Sequence, residues 1–122
     1  MENSLNMRAI PHEVELGGKQ YTIIFDMRAY AEAEQVYYLQ YGRRCNCGEI
    51  ILDMLNGLTS ALMALTYGAL KSGGAKMDYK TFAQDILTRE DASNLFDVVE
   101  RAMIDSMGLN DKDAADAGDE KN

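Results

Sequence analysis

The sequence predicts a mainly α-helical protein whose N-terminal β-hairpin packs on a bundle of four to five helices. One alternating segment, residues 12–26, turns at Gly17-Gly18, and the chain beyond it shows helical periodicity. Residues that favour helix starts and ends recur at suitable intervals in this second part. With 122 residues and 47% apolar content, the chain fits one small globular domain.

Two short alternating runs predict the hairpin. Val14 and Leu16 share one face of the first run, and Tyr21, Ile23 and Phe25 share one face of the second. The Gly-Gly pair between them can adopt the positive φ angles that two-residue turns require. Because an isolated hairpin is only marginally stable in water, we expect its apolar face to lie on the helices.

Five helices are predicted after the hairpin. Their approximate bounds are residues 27–41, 48–56, 59–72, 78–87 and 89–107. Asp26 and Asp78 are suitable N-caps for the first and fourth helices, and Thr88 with Asp91 matches a capping box for the fifth. The third helix is apolar on nearly all sides, so we expect it to lie at the centre of the domain.

The first helix is rich in tyrosine. Its broad apolar arc consists of Met27, Tyr30, Ala31, Ala33, Tyr37, Tyr38 and Tyr41. Glu34 lies within this arc, where we expect its carboxylate to accept hydrogen bonds from tyrosine hydroxyls or to reach solvent at the edge of the arc. Four apolar residues fall outside the main stripes, and we expect some of them to be exposed: Ile24, Val36, Leu39 and Ile104.

Both ends of the chain differ from the predicted domain, which spans residues 12–108. We expect residues 1–11 to be flexible and residues 109–122 to form a disordered acidic tail. The tail holds five acidic residues, two lysines and one large apolar residue. It therefore cannot bury enough apolar surface to balance the entropy lost on ordering.

The net charge of −8 disfavours a nucleic-acid or anionic-membrane partner, because such binding normally depends on a basic patch. No apolar run approaches the ~20 residues of a membrane-spanning helix. The first ten residues lack the basic start and apolar run of a secretion signal. We therefore expect a cytoplasmic protein with neither of these partners.

Cys45 and Cys47 are the candidates for chemistry. Alternate residues rarely have the geometry of a disulfide, and zinc would need two further ligands, whereas the single histidine, His12, is far upstream. We favour two free thiols in a loop and assign no cofactor and no metal ligand. Glu32 and Glu34 point in opposite directions on a helix, so they cannot act as a catalytic pair. We identify no catalytic residue and predict a non-enzymatic protein.

Features typical of protein binding are better represented. Tyrosine is favoured at interfaces, and the eight methionines can adapt to irregular partners. The candidate partner-binding residues are Tyr37, Tyr38, Leu39 and Tyr41 on the first helix, with Met63 and Tyr67 on the third. A domain of this size cannot easily bury all of its apolar side chains, which indicates association with itself or with a partner.

The segment VELGGKQYTIIFDMRAYAEAE, residues 14–34, resembles the start of the tail assembly chaperones of long, non-contractile-tailed bacteriophages and related prophages. The matching positions are Leu16, Gly17, Gly18, Lys19, Tyr21, Ile23, Phe25, Asp26, Ala29, Ala33 and Glu34. The rest of the chain matches in layout, through its LTSALMALTYGAL helix and acidic end, rather than by a sharp motif.

This resemblance implies a non-enzymatic chaperone in the cytoplasm of the bacterial host. Such a protein keeps the long tape-measure protein soluble until tube subunits surround it. In many phages a frameshifted longer form also recruits the tail tube protein. Two other functions stay open from the residues alone: a thiol or metal protein using the Cys45/Cys47 loop, and an acidic adaptor or antitoxin.

Overall fold

The computed structural model describes residues 9–107, and the predictions for residues 1–8 and 108–122 lie outside them. The strands are β1 (His12–Leu16) and β2 (Lys19–Ile23), and the helices that follow are α1 (Met27–Tyr41), α2 (Cys47–Leu55), α3 (Thr59–Ser72), α4 (Tyr79–Thr81), continued by a π-helical turn (Phe82–Ile86), and α5 (Ala92–Ser106). The predicted fold class, a hairpin on a helical bundle, is therefore confirmed.

The hairpin is part of the hydrophobic core. Its strands pair antiparallel, with Val14 opposite Tyr21, and Gly17 and Gly18 supply the turn at φ 58° and 80°. The alternation in sequence buries Val14 and Ile23 against the helices, as predicted. Beyond β2, the Ile24 amide donates to the Ala69 carbonyl of α3 at 3.2 Å, so the ribbon covers the central helix.

α1 and α3 form the most extensive helix pair because small residues let their backbones approach closely. Gly68 of α3 faces Ala29 and Ala33 of α1, and a Cβ at Gly68 would lie 2.3 Å from the Ala29 carbonyl oxygen. This contact rotates α1 relative to the predicted arc. Val36, predicted on the polar side, is buried, whereas Met27, predicted in the apolar arc, is exposed.

α3 is the central helix, as its composition predicts. It contacts α1, α2, α5 and β2. Eight of its 14 residues are buried, Leu65 and Leu70 among them. Even Thr66 is enclosed, with its hydroxyl donating to the Leu62 carbonyl at 2.7 Å. Its burial on most sides explains why apolar residues surround it.

Local signals place most helix ends correctly. Asp26 accepts the Ala29 amide at 2.9 Å and Asp78 accepts the Thr81 amide at 2.8 Å, so both predicted N-caps are confirmed. The predicted fourth helix, residues 78–87, is instead one α-helical turn followed by a π-helical turn. The wider turn leaves both Phe82 and Ile86 in the core.

The predicted capping box at the start of α5 is wrong, and the helix begins at Ala92 rather than near residue 89. Asp91 instead accepts the amide of Gly17 at 3.1 Å, and Thr88 donates its hydroxyl to the Gln84 carbonyl at 2.7 Å. The hairpin turn lies against this end of α5, so the Asp91 carboxylate meets the Gly17 amide rather than an amide of its own helix.

Candidate protein-binding surface

The structure divides the six predicted partner-binding residues into two groups. Tyr37 and Tyr67 are buried and Met63 is half-buried, so these three contribute mainly to the core. The other three are exposed: Tyr38, Leu39 and Tyr41, all near the C-terminal end of α1. Of the four apolar residues expected outside the stripes, Leu39 and Ile104 are exposed, Ile24 is half-buried, and Val36 is buried.

Tyr37 joins α1 to α2 from within the core. Its side chain is 0% exposed, and its hydroxyl donates to Asp53 at 2.9 Å. Arg43 pairs with the same carboxylate at 3.2 Å and lies 5.7 Å from the Tyr37 ring. Burial, together with the hydrogen bond to Asp53, raises the pKa of the Tyr37 hydroxyl. This tyrosine is therefore a neutral donor that holds two helices together.

Tyr67 belongs to an aromatic cluster between α3 and α4. Its ring centroid is 5.3 Å from that of Tyr79 and 5.5 Å from that of Phe82, and its hydroxyl donates to the Met77 carbonyl at 3.1 Å. Tyr41 extends the cluster to the surface, where its hydroxyl lies 2.5 Å from that of Tyr79. Tyr67 and Phe82 are buried in the cluster, Tyr79 is half-buried, and Tyr41 is exposed at its edge.

Tyr38 and Leu39 are the predicted residues that a partner can reach most easily. Tyr38 is 44% exposed, with the Arg44 guanidinium 4.2 Å from its ring centroid, and Leu39 is 63% exposed. The Arg44 guanidinium covers one face of the Tyr38 ring in a cation–π contact. This part of the surface is thus mixed in character, with one strongly exposed aliphatic residue.

The larger apolar surface lies on α2 and α5, where we did not place partner-binding residues. α2 has five large apolar residues in nine positions, yet only Ile50 is fully buried. Leu52 and Leu55 are 57% and 71% exposed, and Leu58, just beyond the helix, is also exposed. Five large apolar residues occupy more than one face of a short helix, and only one face can be buried. This excess in the sequence could have indicated that α2 has an exposed apolar face.

A groove runs between α2 and α5 with a volume of 320 Å³. Its lining is apolar except for Glu100, and consists of Ile51, Met54, Leu55, Glu100, Met103, Ile104 and Met107. α2 packs mainly on α3 and α1, whereas α5 packs mainly on β1 and α3. The two helices therefore leave an open space between them. The groove is much more apolar than the neighbouring recess that Asp97, Glu100, Arg101 and Ile104 line.

Glu34 and the two cysteines lie at the opposite end of α2. Of the two expectations for Glu34, hydrogen bonds from tyrosine hydroxyls are not seen, and the side chain is half-buried rather than enclosed. Its carboxylate accepts the Cys47 amide at 2.9 Å, because the first amides of a helix lack partners within it. Both thiols are free, Cys45 in the loop and Cys47 as the first residue of α2. Burial, and then the charge of Glu34, raises the pKa of the Cys47 thiol, which makes it less reactive at neutral pH.

Among residues 9–107, no cluster of three or more His, Cys, Asp or Glu side chains has the arrangement to bind a metal ion. None of the helices in this part of the chain combines the length and apolar character needed to span a membrane.

Comparisons with known proteins return no significant similarity: no family model matches, and no curated protein or solved structure matches. The resemblance of residues 14–34 to tail assembly chaperones therefore stays a prediction. The argument for function depends on that segment and on the surface described above.

Proposed function

We propose that this chain is a non-enzymatic assembly chaperone of a long-tailed bacteriophage or prophage, which binds the tape-measure protein in the cytoplasm of the bacterial host. The observation that carries the proposal is the open apolar groove between α2 and α5, with the exposed leucines beside it. Large exposed apolar patches on a small domain are typical of protein-binding sites. A long helical rod with exposed apolar stripes is a suitable client.

The acidic surface supports the same proposal. A net charge of −8 keeps a protein with exposed apolar residues soluble through mutual repulsion between copies. A chaperone needs both properties, because it must bind an aggregation-prone client without aggregating itself. The tail tube protein is a further partner by the same resemblance, and association between copies of the chain is a second use of the apolar surface.

Co-expression with the tape-measure protein of the same phage or prophage tests the proposal. The full chain, carrying an affinity tag, is expected to retain the tape-measure protein and to increase its soluble fraction. An unrelated acidic protein of similar size is the control. Recovery of the tape-measure protein no better than with this control would refute the proposed function.

A further inference from the structure

The groove between α2 and α5 has the shape of a site for one short helix. Its α5 wall runs from Glu100 to Met107, which is two helical turns, or about 10 Å at ~1.5 Å per residue. A helix lying in such a groove presents apolar residues at positions i, i+3 or i+4, and i+7. Three of the eight methionines line the groove, and their unbranched side chains can adjust to different apolar residues.

The groove is open in the structure. Leu55 is 71% exposed and Ile104 is 39% exposed, although both side chains are large and apolar. No part of residues 9–107 covers them. Their contact with water is unfavourable, so an apolar occupant gains by displacing it.

The charge around the groove selects the kind of occupant. Among the described residues, Glu100 is the one charged residue that lines the groove. Asp97 and Glu100 line a recess of 340 Å³ that adjoins the groove, together with Arg101 and Ile104. The edge of the groove is therefore net negative, and an occupant with basic residues beside its apolar face is complementary.

The same charges disfavour the two occupants that the chain itself could supply. A second copy would bring another chain of charge −8 against the acidic edge. Residues 109–122 carry five acidic and two basic residues and one large apolar residue, so they match neither the charge nor the lining of the groove. Like charges placed together at an interface weaken it.

We infer that this groove binds one amphipathic helix, about two turns long at the contact, whose apolar face is flanked by lysine or arginine. The inference deepens the proposed function, on which it rests, because it specifies which segments of a helical client the chain recognises. Binding buries Leu55 and Ile104 and places the basic flanks against Asp97 and Glu100.

Fluorescence anisotropy with the full chain and synthetic peptides tests the inference. The probe is a helix of about 18 residues with leucines on one face and lysines beside them, long enough to be helical when bound. A peptide with glutamate in place of each lysine, and a scrambled peptide of the lysine composition, are the controls. We expect the lysine peptide to bind at least tenfold more tightly than either control. Equal binding of the lysine and scrambled peptides would mean general charge attraction only, and would overturn the inference.

Substitutions locate the binding. The double variant Leu55→Gln and Ile104→Gln is expected to reduce the affinity for the lysine peptide at least tenfold, because it removes two apolar side chains from the groove. Both side chains are exposed, so their replacement does not disturb the core. Met27→Gln, a matched change at a 70% exposed apolar residue outside the groove, is expected to change binding less than twofold. Circular dichroism confirms that the variants are folded. An equal loss in both variants would overturn the inference.

The charge preference has its own test. Glu100→Lys is expected to reduce the preference for the lysine peptide over the glutamate peptide at least threefold, and an unchanged preference would contradict the role of the acidic edge. Sedimentation of the full chain over a range of concentrations tests whether a second copy of the chain occupies the groove. Concentration-dependent dimers that the Leu55→Gln and Ile104→Gln variant abolishes, with no binding of the lysine peptide, would assign the groove to self-association and overturn the inference.

The same variants separate this inference from the proposed function. If the Leu55→Gln and Ile104→Gln variant still retains the tape-measure protein, the proposed function stands and the groove is not its site. If the lysine peptide binds in the groove but the tape-measure protein is not retained, the proposed client is wrong and the groove assignment stands.

Discussion

The close approach of α1 and α3 makes Gly68→Ala a sharp test of the fold. A Cβ at this position would lie 2.3 Å from the Ala29 carbonyl oxygen and 3.2 Å from the Ala33 amide nitrogen. A comfortable carbon–oxygen contact is about 3.3–3.6 Å, so the two backbones must separate by about 1 Å. Neither neighbouring atom belongs to a side chain that could rotate away.

The expected magnitude follows from two opposing effects. Forcing one extra methyl into a packed core costs about 1–3 kcal/mol, and a rigid backbone neighbour places this case at about 3 kcal/mol. Replacing glycine by alanine inside a helix returns about 1 kcal/mol. We therefore expect Gly68→Ala to lower the free energy of unfolding by about 2 kcal/mol, and the Tm by about 8–16 °C for a domain of this size.

Urea unfolding followed by far-ultraviolet circular dichroism measures this change. Gly48→Ala is the matched control, because Gly48 also lies in a helix but its added Cβ would meet only Asn46 Oδ1, at an ordinary 3.4 Å. We expect this control to be unchanged or more stable by up to about 1 kcal/mol. If Gly68→Ala were as stable as Gly48→Ala, the reasoning about the α1–α3 contact would be refuted.

Three further predictions concern individual hydrogen bonds. Asp26→Ala removes the N-cap of α1 together with the hydrogen bond that the Ser72 hydroxyl donates to the same carboxylate. It is expected to cost at least about 1 kcal/mol in urea unfolding, and an unchanged midpoint would contradict the cap's role. The hydrogen bond from the Gly17 amide is the largest influence on Asp91, and it lowers the pKa of this carboxyl in the folded protein below its ordinary 3.8. The carboxylate therefore stabilises the fold fully above pH 3.8, and this stabilisation is lost as the pH falls through the pKa of the folded protein. Unfolding midpoints at pH 6 and pH 3 should therefore differ more for the wild type than for Asp91→Asn, and equal differences would refute this. Tyr37→Phe removes the buried donor to Asp53 and is expected to cost about 1.5–3 kcal/mol while leaving affinity for the lysine peptide within twofold, and a selective loss of binding would return Tyr37 to the partner-binding surface.

Much of the fold can be predicted from the sequence because its signals are local. The aspartate caps bond amides three residues ahead of them, and the Gly-Gly turn pairs two strands that directly flank it. These short-range interactions do not depend on how the rest of the chain packs. The central position of α3 also follows from its composition, since a helix that is apolar on most sides must be enclosed.

The errors lie where distant parts of the chain compete for the same group. Asp91 bonds the turn of the hairpin, 74 residues away, instead of capping its own helix. Glu34 accepts an amide of α2 rather than hydroxyls of its own helix. The rotation of α1 depends on the absence of a side chain at Gly68 of α3. The periodicity of apolar residues within α1 carries no information about this contact.

The sequence predicts that apolar surface is exposed, but it does not predict where most of that surface lies. The sequence indicates more apolar surface than a small domain can enclose, and the exposure of Leu39 and Ile104 agrees with that expectation. The concentration of this surface on α2 and α5 could not be predicted, because it depends on which sides of two helices their neighbours leave uncovered. Apolar density alone does not distinguish the buried Ile50 from the exposed Leu55.

Hydrogen exchange of the full chain, alone and in complex with the tape-measure protein, shows whether the chain binds a helical client on the open apolar surface of α2 and α5. We expect slower amide exchange on complex formation, concentrated in residues 50–55 and 100–107. Failure to form a complex, or a complex whose protection lies elsewhere and leaves these two segments unchanged, would contradict it.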